Sequence, residues 1–248
     1  MSSCKISREQ MLAALVERQG KENVAKLQAA TVAVCGLGGL GSNIAISLAR
    51  AGVGKLILID FDTVDVTNLH RQQYKVSQVG EEKSIALAEN LKEIAPYLEI
   101  ESHTERMIPE NVETLIGQAN VVCEAFDNPE AKAMLVNAIL ERNAELASQG
   151  NLDKQQFFVA ASGMAGFGEA NEITTRRISK KFFLCGDGKS DVNAGIGLIA
   201  PRVMLCAAHQ AITTIRIICG FETETLSSGP MMSSRQLKES SRQLNVSS

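Results

Sequence analysis

The chain has 248 residues, is 45% hydrophobic and carries a formal net charge of -3, enough length and apolar content to bury a substantial core in one large domain. Its mild acidity argues against a general nucleic-acid binder, which would be basic, and no apolar run approaches the ~18 residues of a membrane span. The opening MSSCKISREQ has no apolar signal-peptide core, so a cytoplasmic protein is expected.

Six cysteines are present and no two form a C-x-x-C pair. A tetrathiolate zinc site normally needs two such pairs, so no zinc is expected. Disulfides are not expected in a reducing compartment, and most of the cysteines, lying in apolar runs, read as small core residues.

Strand-like and helix-like segments alternate along the chain. TVAVCG (31–36) is apolar, β-branched and ends in glycine, as a buried parallel strand does. A helix is predicted from Leu40 to about Ala51, a second strand at KLILID (55–60), and a helix over 84–95 from the spacing of Ile85, Leu87, Ala88, Leu91 and Ile94. EIESHTE (99–105) alternates weakly as a third strand. Pro109 is expected to open a short helix ending near Gly117. NVVCEAF (120–126) is a fourth strand, Pro129 starts a helix to about Arg142, and QFFVAAS (156–162) is a fifth strand. This alternation predicts an α/β fold, a doubly wound, Rossmann-like and mostly parallel sheet with right-handed crossovers.

Beyond Ser162 the pattern changes. GMAGFGEAN reads as a loop, ITTRRI as an antiparallel extension of the sheet, and CGDGKSDVNAGIG (185–197) as a mobile glycine-rich loop. A long helix is predicted from Ile199 to Cys219, with Pro201 in its first turn and Gly220 as its stop. The expected domain is 1–222. From Thr223 onward the serine-rich chain is expected to be a disordered tail.

Chemistry-bearing residues concentrate between Val34 and Lys83. Gly36, Gly38, Gly39 and Gly41 sit where a strand meets a helix, so phosphate can approach backbone N–H groups closely. Asp60 ends the second strand, where an acid can bond a ribose hydroxyl. To this point an NAD site and an ATP site are equally served. Arg71 and Lys83 favour ATP, because attack at its α-phosphorus releases pyrophosphate and cations stabilise that leaving charge. Asp127, just past the fourth strand, lies at the ligand-binding edge of such a sheet and could hold Mg²⁺. Its alternative task is to cap the helix begun by Pro129, for which Asn128 is an equal or better candidate.

GLGGLG, followed by LIDFDTVDVTNLHRQQ, Lys83 and the Asp127–Asn128 pair, resembles the ThiF/MoeB family, relatives of ubiquitin-activating enzymes. The resemblance covers roughly residues 20–220. It implies a homodimer using ATP and Mg²⁺ to adenylate the C-terminal Gly-Gly of a ubiquitin-like sulfur carrier. It places nucleotide contacts at Gly39, Asp60, Asn68, Arg71, Gln72, Lys83 and Asp127. Lacking C-x-x-C pairs, the chain looks like the shorter, zinc-free branch associated with thiamine synthesis, with a ThiS-like carrier and a sulfur donor or thiazole synthase as further partners. The family also sends an N-terminal Arg into the partner subunit's site, for which Arg8 and Arg18 are both candidates. The segment NAELASQGNLDK (143–154) and the tail have no counterpart in that pattern.

In relatives, a cysteine of the crossover loop can take part in sulfur transfer. Cys185, at the junction of FFL with the glycine-rich loop, is expected to be reachable, with Lys180, Lys181 and Lys189 favouring its thiolate. Two other activities remain open: activation of a tRNA-bound carboxylate, as in threonylcarbamoyladenosine dehydration, and an NAD-dependent dehydrogenase, against which Arg71, Lys83 and Asp127 stand together.

Overall fold

A computed structural model describes residues 6–191 and 194–221. Among the described residues, seven α-helices and seven strands form a three-layer α/β domain. Strands β1 (Thr31–Cys35), β2 (Lys55–Ile59), β3 (Glu99–His103), β4 (Val121–Glu124), β5 (Phe157–Ala161), β6 (Thr174–Ser179) and β7 (Phe182–Gly186) make one sheet in the order β3-β2-β1-β4-β5-β7-β6. All neighbours are parallel except β6 and β7, which pair antiparallel at the edge. This is the doubly wound sheet with the antiparallel extension that the alternating pattern predicts.

Strand alternation sends successive side chains to opposite faces, and each face has its own core. Val32, Val34, Cys123 and Val159 pack with Ile44 and Leu48 of α3 (Gly39–Ala51), Leu87 and Leu91 of α4 (Lys83–Ile94), and Val203, Ala207 and Ala211 of α7 (Ala200–Cys219). Ala33, Cys35, Ile57 and Ile59 pack on the other face. Their partners are Val112, Leu115 and Ile116 of α5 (Val112–Ile116) and Leu135 and Ile139 of α6 (Pro129–Ser148). Aliphatic side chains supply nearly all of both cores, as expected of a chain without tryptophan. No helix among the described residues is long and apolar enough to cross a membrane.

Several boundaries differ from the sequence pattern. Two helices precede the sheet, α1 (Arg8–Gln19) and α2 (Lys21–Ala29). A capping box between Ser7 and Gln10 starts α1, whose apolar Met11, Leu12, Leu15 and Val16 share one half-buried side. Helix α5 starts at Val112, with Pro109 lying before its N-cap Asn111. Helix α6 does not stop near Arg142 but runs on to Ser148. There Asn143 bonds both the N–H and the C=O of Gln156, tying the extension to the start of β5. FFLCG is a strand paired on both sides rather than an apolar run entering a loop, because β5 supplies a parallel ladder and β6 an antiparallel one. The expected tail and Cys4 lie outside the described residues.

The glycine turn between β1 and α3 is the tightest part of the fold. A Cβ on Gly41 would overlap the carbonyl oxygen of Gly36, and one on Gly36, whose φ is +89°, would lie 2.8 Å from the carbonyl oxygen of Ala125. Gly41→Ala would gain up to about 1 kcal/mol of helix propensity against a backbone overlap costing about 1–3 kcal/mol or more. The variant should therefore melt several degrees below the wild type. An unchanged or raised melting temperature would mean that the turn has room to spare.

Candidate nucleotide site at the carboxyl edge of the sheet

The carboxyl ends of β1, β2 and β4 meet at this turn. The N–H of Gly36 donates to the carbonyl of Ile59 at 2.9 Å, and the N–H of Leu37 to Asp60 Oδ2 at 2.6 Å. Helix α3 then starts with Gly38 at its N-cap and no side-chain cap. Its first N–H groups and the positive end of its dipole are thus available to an anion.

Asp60 is 8% exposed, and its second oxygen accepts the N–H of Asp62 at 2.8 Å. Burial pushes its carboxyl above the usual range, against the opposing pull of Lys83 and of the two amides. Each oxygen holds one of these amides and keeps a further lone pair, enough to accept ribose hydroxyls. Lys83 opens α4 with its side chain 6% exposed and donates to Asp62 Oδ2 at 2.8 Å. Its charge therefore stands beside the DFD acids, 12 positions after Arg71 in sequence.

The chain between the DFD acids and Lys83 folds back onto the glycines. Asn68 ends a single 3-10 turn (66–68), and its carbonyl accepts the N–H groups of Arg71 and Gln72, each at 3.1 Å. The Arg71 Cγ and Cδ lie 3.4 and 3.5 Å from where a Gly39 Cβ would be, and Gln72 Nε2 lies 3.6 Å from that of Gly38. The absence of side chains at Gly38 and Gly39 therefore makes room for this segment as well as for phosphate. Gln72 is buried and its Oε1 has no partner among the described residues. Tyr74 ties the segment down by donating to the carbonyl of Leu37 at 2.8 Å.

Asp127 is exposed at the carboxyl end of β4. Asn128 is the cap of α6, its side-chain oxygen accepting the N–H of Ala131 at 2.9 Å, so Asp127 is released from that task. Gly36 packs on the Ala125–Phe126 peptide two residues earlier, which draws the Asp127 turn to the same crevice.

The structure does not bring every candidate to this place. Arg18 pairs at the surface with Glu17 and Arg8 reaches Gln28 of α2, so neither touches the glycine turn of its own chain. Cys185 is corrected outright: it is fully buried on the α7 face of β7, 3.5 Å from Thr175 Oγ1. Burial pushes its thiol up, and Lys181 points away, donating to the carbonyl of Gln155 over the Phe157 ring. Strand alternation decides this, since Phe183 and Cys185 share the face that packs on α7.

Two buried ion pairs escaped the sequence reading. Glu124, completely buried at the end of β4, pairs with Lys132 of α6 at 2.6 Å. Arg202, 4% exposed, bonds Asp187 at 2.8 Å, Glu172 at 3.0 Å and the carbonyls of Ala165 and Glu169. Burial raises the Asp187 carboxyl, but the amides of Ser190 and Lys189, the Ser190 hydroxyl and Arg202 outweigh it and hold the pKa at about 2. This pins residues 187–190, the first part of the segment expected to be mobile. A cleft of about 700 Å³ opens beside the cluster, lined by Phe167, Glu172, Lys189 and Ile196 among others. An arginine inside the apolar stripe of α7 was the available signal for a buried carboxylate partner.

The sequence matches the ThiF family over residues 9–248. The chain belongs to the ThiF family. Among curated relatives of this ThiF-family chain, the adenylyltransferase and sulfurtransferase MOCS3 of Anopheles gambiae is 30% identical over 204 residues, covering 82% of this chain and 44% of that protein. The adenylyltransferase and sulfurtransferase UBA4 of Candida albicans is 28% identical over 214 residues, covering 82% and 45%. The chain thus spans less than half the length of these relatives. Among solved structures, the E. coli tRNA N6-threonylcarbamoyladenosine dehydratase TcdA in complex with ATP superposes with a TM-score of 0.74 at 21% identity, covering 90% of this chain and all of that one. E. coli MccB with ATP gives 0.62 at 18% identity, covering 88% and 67%. These likenesses establish the shared fold.

The burial of Cys185 has a direct chemical readout. In the native protein at pH 8, a short iodoacetamide pulse should leave Cys185 unmodified by peptide mapping, while the denatured chain is labelled fully. Rapid stoichiometric labelling of the native protein would contradict the buried placement.

Proposed function

We infer that the protein is an adenylyltransferase that activates the C-terminal carboxylate of a ubiquitin-like sulfur carrier, of the ThiS type used in thiazole synthesis. What supports this reading is Asp60 and Arg71 beside the uncapped start of α3, with Lys83 held at Asp62 and Asp127 following the Ala125–Phe126 peptide on which Gly36 rests. The family supports it, as do the relatives whose names describe adenylyltransferases. Homodimerisation, a cytoplasmic setting and a sulfur donor or thiazole synthase as a further partner belong to the same proposal.

In this reading the ribose hydroxyls of ATP bond Asp60, and the phosphates lie over Gly36, Gly38, Gly39 and Gly41 at the positive end of α3. Arg71 and Lys83 meet the β- and γ-phosphates, with Asn68, Gln72 and Asn128 lining the crevice. Asp127 suits Mg²⁺: it is an exposed carboxylate not consumed by capping, and Mg²⁺ takes one or two carboxylates together with phosphate oxygens and water. When bound, Mg²⁺ supplies positive charge against the triphosphate. A carrier carboxylate oxygen attacks the α-phosphorus, forming an acyl-adenylate as the bond to the β-phosphate bridging oxygen breaks and pyrophosphate leaves. No protein nucleophile is required, so positioning and charge stabilisation carry the step. Arg8 or Arg18 of a partner subunit would complete the phosphate contacts.

The test is ATP–pyrophosphate exchange with candidate carriers, and with tRNA as an alternative acceptor. With a matching carrier the wild type should exchange, and Arg71→Ala and Asp127→Ala should each lose on the order of 10²-fold or more. Wild-type exchange in both variants would remove the assignment, and exchange dependent on tRNA alone would change the substrate class.

A further inference from the structure

The Glu124–Lys132 pair sits directly behind the turn that carries Asp127, and its geometry is that of a switch-free clamp. Glu124 Oε1 accepts the N–H of Phe126 at 2.8 Å, and Oε2 accepts Lys132 Nζ at 2.6 Å. Lys132 Nζ also donates to the carbonyl of Ala161 at 2.8 Å, and Gln210 of α7 donates to the carbonyls of Glu124 and Val159 at 2.8 and 3.2 Å. The β4–β5 ladder ends at Cys123 and Val159. From there the two strands are held by side chains, one from each face of the sheet. Asp127 is consequently bounded by two fixed points, the Phe126 amide held by Glu124 and the Asn128 side chain that caps α6.

The helix positions add a second consequence. With Asn128 as N-cap and Pro129 as the first helical residue, Asp127 is the residue before the cap and Lys132 the fourth of the helix. Side chains at these two positions face each other, which is why apolar pairs there form a hydrophobic staple. An unpaired Lys132 would meet Asp127 and neutralise it. Glu124 removes that competitor by holding Lys132 on the inner side of the turn.

We propose that Glu124 and Lys132 are positioning residues that keep the Asp127 carboxylate fixed and free for the magnesium of a bound nucleotide. The proposal rests on the reading of this crevice as a Mg·ATP site. Neither residue touches the nucleotide in this account. Replacing Glu124 by glutamine keeps the shape but releases Lys132 toward Asp127. Replacing both partners by neutral residues of similar shape removes the competitor again, without leaving a buried charge unpaired.

The experiment is calorimetric titration of the full-length protein with ATP at a series of Mg²⁺ concentrations, alongside thermal melts. Glu124→Gln should raise the Mg²⁺ needed for half-maximal ATP affinity by on the order of tenfold, the size of coupling expected between groups in one charged network. The double variant Glu124→Gln/Lys132→Met should return to within about twofold of the wild type. If Glu124→Gln does not fold, Glu124→Asp, which withdraws the charge by one methylene, should shift the Mg²⁺ requirement in the same direction by a smaller factor. A purely structural pair would lower the melting temperature and leave the Mg²⁺ dependence at the wild-type value in Glu124→Gln, or in Glu124→Asp if that variant stands in. Either result overturns the proposal, as does a double variant no better than the single. Asp127→Asn separates the two layers of the account. If the wild type fails to bind ATP, or Asp127→Asn keeps the wild-type Mg²⁺ dependence, the crevice reading itself fails. If both behave as expected and Glu124→Gln is unshifted, only the clamp fails.

Discussion

A side chain on Gly41 would collide with the carbonyl oxygen of Gly36, and the rest of the molecule is arranged around that near-zero clearance. It sets how close α3 comes to β1, and therefore where the free N–H groups of α3 point. Gly36 in turn rests on the Ala125 peptide, so the exits of β1 and β4 are in contact rather than merely adjacent. The exit of β2 joins them through the Leu37 N–H, which Asp60 accepts. Three strand ends are locked into one crevice by backbone contacts and a single carboxylate, before any ligand is considered.

The polar residues of the crevice are positioned by groups that do not line it. Tyr74 anchors the segment bearing Arg71 and Gln72, Asp62 holds Lys83, and Asn128 takes over capping so that Asp127 is free. Beneath them, Glu124 and Lys132 bury opposite charges within one network in which both side chains also bond backbone groups. Buried pairs of this kind add little net stability compared with an apolar core. What they supply is a defined direction for the chain that leaves β4.

Much of the fold is legible in the sequence because local patterns decide it. β-Branched apolar runs ending at turns mark β1, β2, β4 and β5, and helical spacing with Pro201 and Gly220 marks α7. The glycine turn and the Asn68–Gln72 segment are also readable, since their residue types serve few other purposes together. What is not legible depends on partners distant in sequence. Helix α1 has helical spacing at Met11, Leu12, Leu15 and Val16, but these are only half-buried, a weaker mark than a core stripe. Strand β7 is a strand because β5 lies beside it, and that pairing buries Cys185, which local composition places at a loop. The Glu124–Lys132 and Asp187–Arg202 pairs join segments whose proximity only the fold creates.

The central claim is that the crevice directs attack to the α-phosphorus of ATP. Product analysis measures this most directly: full-length protein is incubated with Mg·ATP, a matching carrier and pyrophosphatase, and the nucleotide and phosphate products are resolved by chromatography. The account predicts carrier-dependent formation of AMP or an AMP adduct, with two phosphates released for each ATP consumed. Formation of ADP with a single phosphate would place the attack at the γ-phosphorus and contradict it.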